Sequence, residues 1–170
     1  MACALTLSRP LACKDGVGGI AEVKFKVLPS ATTLAADYTL SSGVVTIASG
    51  SQTDWYLYNL EKETATASQK QTGNAQNGTS FNDQSMTIIL NKMDAAMQNE
   101  IKVLVQSRLQ VAVKFNDGTY WLFGYQNGMD ITTADGSTGT AFGDRNGYTI
   151  SLVGKETGFP NMSAATYATL

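Results

Sequence analysis

The chain has no histidine. That absence removes the commonest general base and excludes the Ser-His-Asp and Cys-His arrangements of nucleophilic catalysis. Cysteine is scarce: only Cys3 and Cys13 occur, too few soft ligands for a structural metal site. Reduced thiols are expected, because the N-terminal MACALTLSRPLACK has neither a basic n-region nor a long apolar h-region and no signal peptide is expected. Charge is also sparse, at 15% of 170 residues, which suggests a surface that is neutral-polar or covered by other subunits. Twelve basic residues face fourteen acidic ones, so no basic bias supports tight nucleic-acid binding. No apolar run approaches the roughly 20 residues that cross a bilayer. The length suits one domain, 1–170, with a real core.

Glycine, in contrast, is plentiful. The segment CKDGVGGI, 13–20, invites a phosphate-loop reading. A P-loop needs its Lys after the last Gly and a helix behind it. Here Lys14 precedes Gly16, Gly18 and Gly19, and the chain continues as IAEVKFKVL, where Ile20, Val23, Phe25 and Val27 alternate with charged residues. That period predicts a half-buried strand, which offers no helix N-terminus to an anion. The glycines therefore read as a turn before the first strand, with an N-terminal arm over 1–19.

The same patterns predict strands over 20–28, 43–49, 54–62, 85–92, 109–115, 119–125, 129–133 and 148–156. Residues 29–42 read as a loop with a short turn, and the tail 157–170 shows no periodicity. One helix is predicted over 93–107. Met93, Met97, Ile101 and Leu104 share a face there, and Asn91 is a plausible N-cap. Strands with turn signals between them and a single helix predict a mainly β, antiparallel sandwich or barrel with a flanking helix.

Residues 61–84, EKETATASQKQTGNAQNGTSFNDQ, break this pattern: apart from alanines, only Phe81 is strongly apolar. Two readings stand. The stretch is a disordered polar loop, or 54–92 is one long hairpin with apolar roots, a polar tip and the turn signals Gly73-Asn74 and Asn77-Gly78. Such a hairpin is too polar to fold alone and would need neighbouring subunits. One face of its arm would meet water, which suits Glu61, Glu63, Thr64, Thr66, Ser68 and Gln69.

Other candidate sites read as structural. Asp130, Asp135 and Asp144 match a calcium loop only at Asp135-Gly136, so turn formation is expected. Glu61 and Glu63, at i and i+2, resemble a carboxylate pair, but on a polar arm they read as a solvated face. Tyr120, Trp121, Phe123 and Tyr125 could stack on bases or sugars, and core or interface packing explains them equally.

The order of pieces resembles phage tail tube proteins, particularly tube-like proteins of tailed phages from Bacteroidetes-type hosts. The resemblance rests on PLACKDGVGGI, SMTIILNKMDAAMQNEIKVLVQSRL, YWLFGYQNGMDITT and TGTAFGDRNGYTISLVGKE, spaced along about half the chain. It implies two antiparallel sheets with a flanking helix, hexameric rings that stack into a hollow tube, and a long hairpin from each subunit closing an inner barrel. It carries over no catalytic residue, metal or cofactor. The implied lumen residues are Glu61, Glu63, Thr64, Thr66, Ser68 and Gln69. The implied inter-subunit residues are Trp55, Tyr56, Tyr58, Phe81 and Met86. The implied partners are further copies of the chain, a tape-measure protein or double-stranded DNA passing through without tight binding, a sheath if the tail has one, and tail-end proteins. The implied location is the virion tail, after synthesis in the host cytoplasm, with no membrane partner. The alternatives are another tail component (terminator, baseplate or spike), a secretion-type tube, or a carbohydrate-binding sandwich that uses Trp121.

Overall fold

The computed structural model describes residues 7–11, 14, 16–158 and 160–170. Cys3 and Cys13 lie outside the described residues. The described chain is mainly β. In order it forms β1 (Ile20–Val27), α1 (Ala31–Asp37), β2 (Tyr38–Ser41), β3 (Val44–Ile47), β4 (Tyr56–Asn59), β5 (Ala65–Asn74), β6 (Thr79–Asn91), α2 (Ala95–Gln106), β7 (Leu109–Phe115), β8 (Tyr120–Phe123), β9 (Met129–Ser137), β10 (Gly147–Glu156), β11 (Asn161–Met162) and α3 (Ala164–Thr169).

The sheet is mixed and unclosed. Its main path runs β2-β3-β11-β8-β7-β9-β10-β6-β5, while β1 pairs with β7 and carries β4 on its far side. The β11–β3 pair is parallel and the other pairs are antiparallel. β7 meets β9 only where Leu109 faces Met129. That single bridge joins a half built around β7 and β1 to a four-stranded half, β9-β10-β6-β5.

β7 explains why its sequence, LQVAVKF, is nearly all apolar: both of its faces are covered. Leu109, Val111 and Val113 enter one core with Val23, Phe25, Met86, Ile88, Ile150 and Leu152. Ala112 enters a second core with Tyr38, Val45, Ile47, Leu122, Met162 and Tyr167. The exception, Gln110, is fully buried and fully used. Its Oε1 accepts from the Tyr38 hydroxyl at 2.9 Å and its Nε2 donates to the Tyr125 carbonyl at 2.9 Å.

The passage from β8 to β9 crosses between the two halves and is held by buried polar side chains. Gly124 sits at φ +67°, and a Cβ there would stand 2.7 Å from the Leu109 carbonyl oxygen and 2.8 Å from the Met129 nitrogen, so only glycine fits. Gln84 accepts from the Gly124 amide at 2.8 Å. Glu156 accepts from the amides of Gln126 and Asn127 at 3.0 and 2.7 Å. Burial pushes the Glu156 carboxyl up from its ordinary range, and the surrounding backbone N–H groups oppose that rise.

The helix face is as expected: Ile101 and Leu104 are buried, with Met93 and Met97 packed beside them. Its start is not. Asn91 ends β6, and Asp94 caps α2, its Oδ1 accepting from the Met97 amide at 2.7 Å. The segment 29–42, expected as a loop, holds α1, capped by Ser30, and β2. The tail, which shows no periodicity in sequence, holds β11 and α3, capped by Ser163. β9 runs beyond 129–133 to Ser137.

The glycine turn is present where expected. Gly19 lies at φ +97°, its carbonyl accepts from the Asn116 amide at 3.1 Å, and Asn116 Nδ2 donates to the Gly18 carbonyl at 3.0 Å. Gly16 and Gly18 have open space around them, so Gly19 alone needs to be glycine.

The expected hairpin 54–92 requires a correction. Tyr56–Asn59 pairs with β1, not with β6. Tyr58 packs edge-on against Phe25, with ring centroids 4.9 Å apart, which gives β4 an apolar partner outside the arm. The chain then reverses, with Glu63 at φ +62°, and the hairpin is β5–β6 alone, from Ala65↔Ile88 to Asn74↔Thr79. Its tip is closed by Asn74, whose side-chain oxygen accepts from the amides of Gln76 and Asn77.

Candidate functional site

The β5–β6 hairpin has two chemically different faces. Along β5, Ala65, Ala67 and Gln69 point inward, while Thr66, Ser68 and Lys70 are exposed. Along β6, Asn82, Gln84, Met86 and Ile88 are buried, while Ser85 is exposed. Paired residues of an antiparallel sheet share a face, so the register places the outward side chains in rows. Thr66 lies opposite Thr87, Thr87 opposite Ser151 and Ser151 opposite Thr133, a row of four hydroxyls across four strands. The next row is Ser68, Ser85, Val153 and Asp130. Ser68 and Ser85 hydrogen-bond to each other at 2.7 Å, and Thr87 and Ser151 at 3.4 Å.

Charges flank these rows as pairs of opposite sign. Lys155 lies 3.7 Å from Asp83, which also faces Lys70 across the strand pair, and Arg108 lies 3.8 Å from Asp130. A shallow depression of about 730 Å³ runs over this end of the face, lined by Asp83, Ser85, Arg108, Asp130 and Lys155 among others. The result is a hydroxyl-rich surface on which Arg108 and Lys155 sit beside carboxylates, while Lys70 shares Asp83 with Lys155 and leaves one cation in excess. It can exchange hydrogen bonds with water, but it offers a polyanion little net positive field.

The expected lumen residues are thereby divided. Thr66 and Ser68 belong to the hydroxyl face. Gln69 does not: its amide oxygen and nitrogen are both buried on the inward side, without a partner among the described residues. Glu61 and Glu63 lie in the turn between β4 and β5, not at i and i+2 of a strand. Thr64 sits in the same connection, its hydroxyl donating to the Glu61 carbonyl at 2.6 Å. The face also includes Ser85, Thr87, Thr133 and Ser151, which the sequence reading did not single out. The alternation of hydroxyl-bearing and apolar residues in SMTIILNK and YTISLV was the available signal.

The expected inter-subunit residues divide as well. Met86 is 2% exposed inside the first core and cannot reach another chain. Tyr58 is half-buried on Phe25, and Trp55 packs against the second core with Lys26 5.8 Å from its ring. Burial, and then nearby Glu100, push the Tyr58 hydroxyl up to about 12. Tyr56 remains 60% exposed on β4, and Phe81 carries the Lys155 ammonium 4.9 Å above its ring. Among the described residues, β2, β4 and β5 each pair on one side only, and β9 meets β7 at a single residue. β5 is the longest, with ten residues.

The remaining candidate sites have structural roles. Asp144 accepts from the amides of Thr140 and Ala141, both at 2.8 Å, and these bonds hold its carboxyl below the usual range. Asp130 is paired to Arg108, and among the described residues no group of three His, Cys, Asp or Glu side chains is placed to hold a metal. Trp121 meets Phe115 edge-on at 5.2 Å and Phe123 at 6.3 Å, while Tyr120 lies 4.9 Å from Tyr167. Tyr125 in turn lies 6.2 Å from Tyr38, so each of the four rings packs against another aromatic side chain. Among the described residues, no helix is long and apolar enough to cross a membrane.

A scan of protein-family models, a search of curated proteins and a search of solved structures each return no match to the chain.

Proposed function

We propose that the chain is a tail-tube-type subunit that assembles into stacked hexameric rings around a channel for phage DNA. The reading takes the sheet as the tube-protein sandwich and α2 as its flanking helix. The hydroxyl face of β5, β6, β10 and β9 carries the reading. A surface that must let a polyanion pass should be wet, flat and free of uncompensated cations, because each unpaired cation adds counterion-release affinity. The rows through Thr66 and Ser68 are wet and hydroxyl-rich, and of the cations beside them Arg108 and Lys155 are paired with carboxylates, with Lys70 a further cation on that face. The ten-residue free edge of β5 supports the same reading. An unpaired edge of that length is a template for another strand, and a closed ring of hairpins removes it. The tape-measure protein would occupy the same channel before DNA.

Electron microscopy of the purified protein at high concentration is the direct test. Stacked hollow rings support the reading. Single rings that never stack favour a terminator or baseplate role, and a monomer at every concentration refutes assembly. The lining is tested by placing lysine at Ser68 and Ser85 in every subunit. Tubes should still form but retain DNA, with release improving as salt rises. Unchanged DNA passage would place the hydroxyl face away from the channel.

A further inference from the structure

A second surface stands apart from the hydroxyl face. Between α2 and the β1–β4 edge lies a groove of about 300 Å³, lined by Phe25, Val27, Tyr56, Val103, Leu104 and, at its rim, Glu100. Its apolar walls are open to solvent: Val27 is 54%, Tyr56 60% and Val103 53% exposed. Clustered exposure of this kind marks a contact surface. The chain also carries an apolar segment with nothing beneath it. In the N-terminal arm Leu7 is 90% and Leu11 fully exposed, with Arg9 and Pro10 between them. Proline restricts the residue before it to extended backbone, so Leu7, Arg9 and Leu11 fall on one side of an extended segment about 13 Å long.

We propose that this groove receives the Leu7–Leu11 segment of a second copy of the chain, with the two leucines on the apolar walls and Arg9 facing Glu100. Arg9 and Glu100 are opposite in sign, Glu100 has no ion-pair partner among the described residues, and Lys26, which also lines the groove, directs its ammonium to the Ser51 and Thr53 carbonyls. The route of the chain favours exchange between copies. Asn116 fixes the arm's exit through Gly18 and Gly19, beside Ile20 and Phe115. The groove lies at the opposite end of the same strand pair, where Val27 faces Leu109. Seven residues of strand, about 23 Å, separate exit from groove, and the eight steps from Leu11 to Gly19 reach about 26–29 Å only when fully extended, so an arm seated in its own groove would have to run back taut along β1. The contact stands whether or not rings stack into a tube.

Cross-linking of full-length chains tests it. In a Cys3→Ser/Cys13→Ser background, one chain carries Leu11→Cys and another Val103→Cys, and the two are mixed under mild oxidation. Disulfide dimers should form between the two different chains in preference to either homodimer. Glu100→Lys should cut that yield about two- to fivefold, the scale of one exposed ion pair, and Arg9→Glu should restore it. Two outcomes overturn the proposal. One is a mixed dimer no more frequent when the cysteine is at Val103 than when it is at exposed Thr132. The other is a doubly substituted chain that closes on itself as a monomer regardless of concentration. Electron microscopy of the same samples separates this from the tube reading, since cross-links without tubes sink only the latter and tubes without cross-links sink only this contact.

Discussion

Glu156 offers the sharpest test of how the two halves of the sheet are joined. Its side chain, 2% exposed, accepts the amide protons of Gln126 and Asn127 at 3.0 and 2.7 Å and so fixes the connection from β8 to β9. Glu156→Ala leaves the amides of Gln126 and Asn127, both on exposed residues, without their carboxylate acceptor. A hydrogen bond to a charged group is worth about 1.5–3 kcal/mol, and water reaching the exposed loop recovers part of that for both amides, so a loss of about 2–4 kcal/mol is expected. Glu156→Gln keeps one acceptor oxygen but turns an NH2 group toward a site built from backbone donors, and should cost about 1–2 kcal/mol. The pH dependence has a definite sign. The folded protein holds the Glu156 proton more tightly than the unfolded chain does, because burial raises the carboxyl above its ordinary 4.5. The stabilisation linked to that proton is therefore fully present below about pH 4.5 and is lost as pH rises through the folded value. Urea unfolding of wild type and Glu156→Gln between pH 4.5 and 7 isolates it as a difference, and the wild type should gain on the variant as pH falls. Asp117 and Asp144, whose carboxyls are held low by local hydrogen bonds, act in the opposite sense and only below about 3.8, outside this window. Parallel pH curves for the two proteins, or an alanine variant within half a kcal/mol of wild type, would refute the role assigned to Glu156.

Three further outcomes are expected. Ile101→Ala should destabilise the domain by about 2–4 kcal/mol in chemical denaturation, as a buried residue on the core face of α2. Replacing 71–80 by a two-residue turn should leave the domain folded by circular dichroism and abolish assembly by electron microscopy, because that tip lies beyond the core while its edges would pair with neighbours. A Cys3→Ser/Cys13→Ser chain should fold and assemble as the wild type does, judged by the same two measurements.

The strands buried by strict alternation or on both faces were legible in the sequence. Residues 20–27, 109–115 and 147–156 sit within a residue of their expected bounds, and α2 presents the expected face. Pairing was less legible. The apolar content of WYLYNL suits the edge of β1 as well as the root of a hairpin, and what decides is the fit of Tyr58 on Phe25, a contact over more than thirty residues of chain. Helices α1 and α3 have seven and six residues, too few for periodicity to stand out. In both, the caps Ser30 and Ser163 were the readable signal.

The hairpin shows why a polar segment is hard to orient from sequence. In ATASQKQT every second residue is polar on one face and either alanine or glutamine on the other. Counted by polarity, Gln69 belongs with Thr66 and Ser68, and the arm reads as solvated throughout. Counted by reach, it does not. Serine and threonine are short enough to satisfy one another across adjacent strands, as Ser68 and Ser85 do at 2.7 Å, and need nothing above the sheet. An amide reaches further and is buried where a distant backbone can meet it, as Gln84 meets Gly124 and Gln110 meets Tyr125. On a strand that alternates hydroxyls with amides and alanines, the hydroxyl side is therefore the side that faces water or a passing ligand, and the amide side is the one that waits for the rest of the chain. That rule orients β5 without its partner. It also makes Gln69, buried with both amide atoms unpartnered, a residue of the arm whose environment the isolated chain leaves incomplete, as it does in part for Asn82 Oδ1 and Gln84 Nε2 on the facing strand.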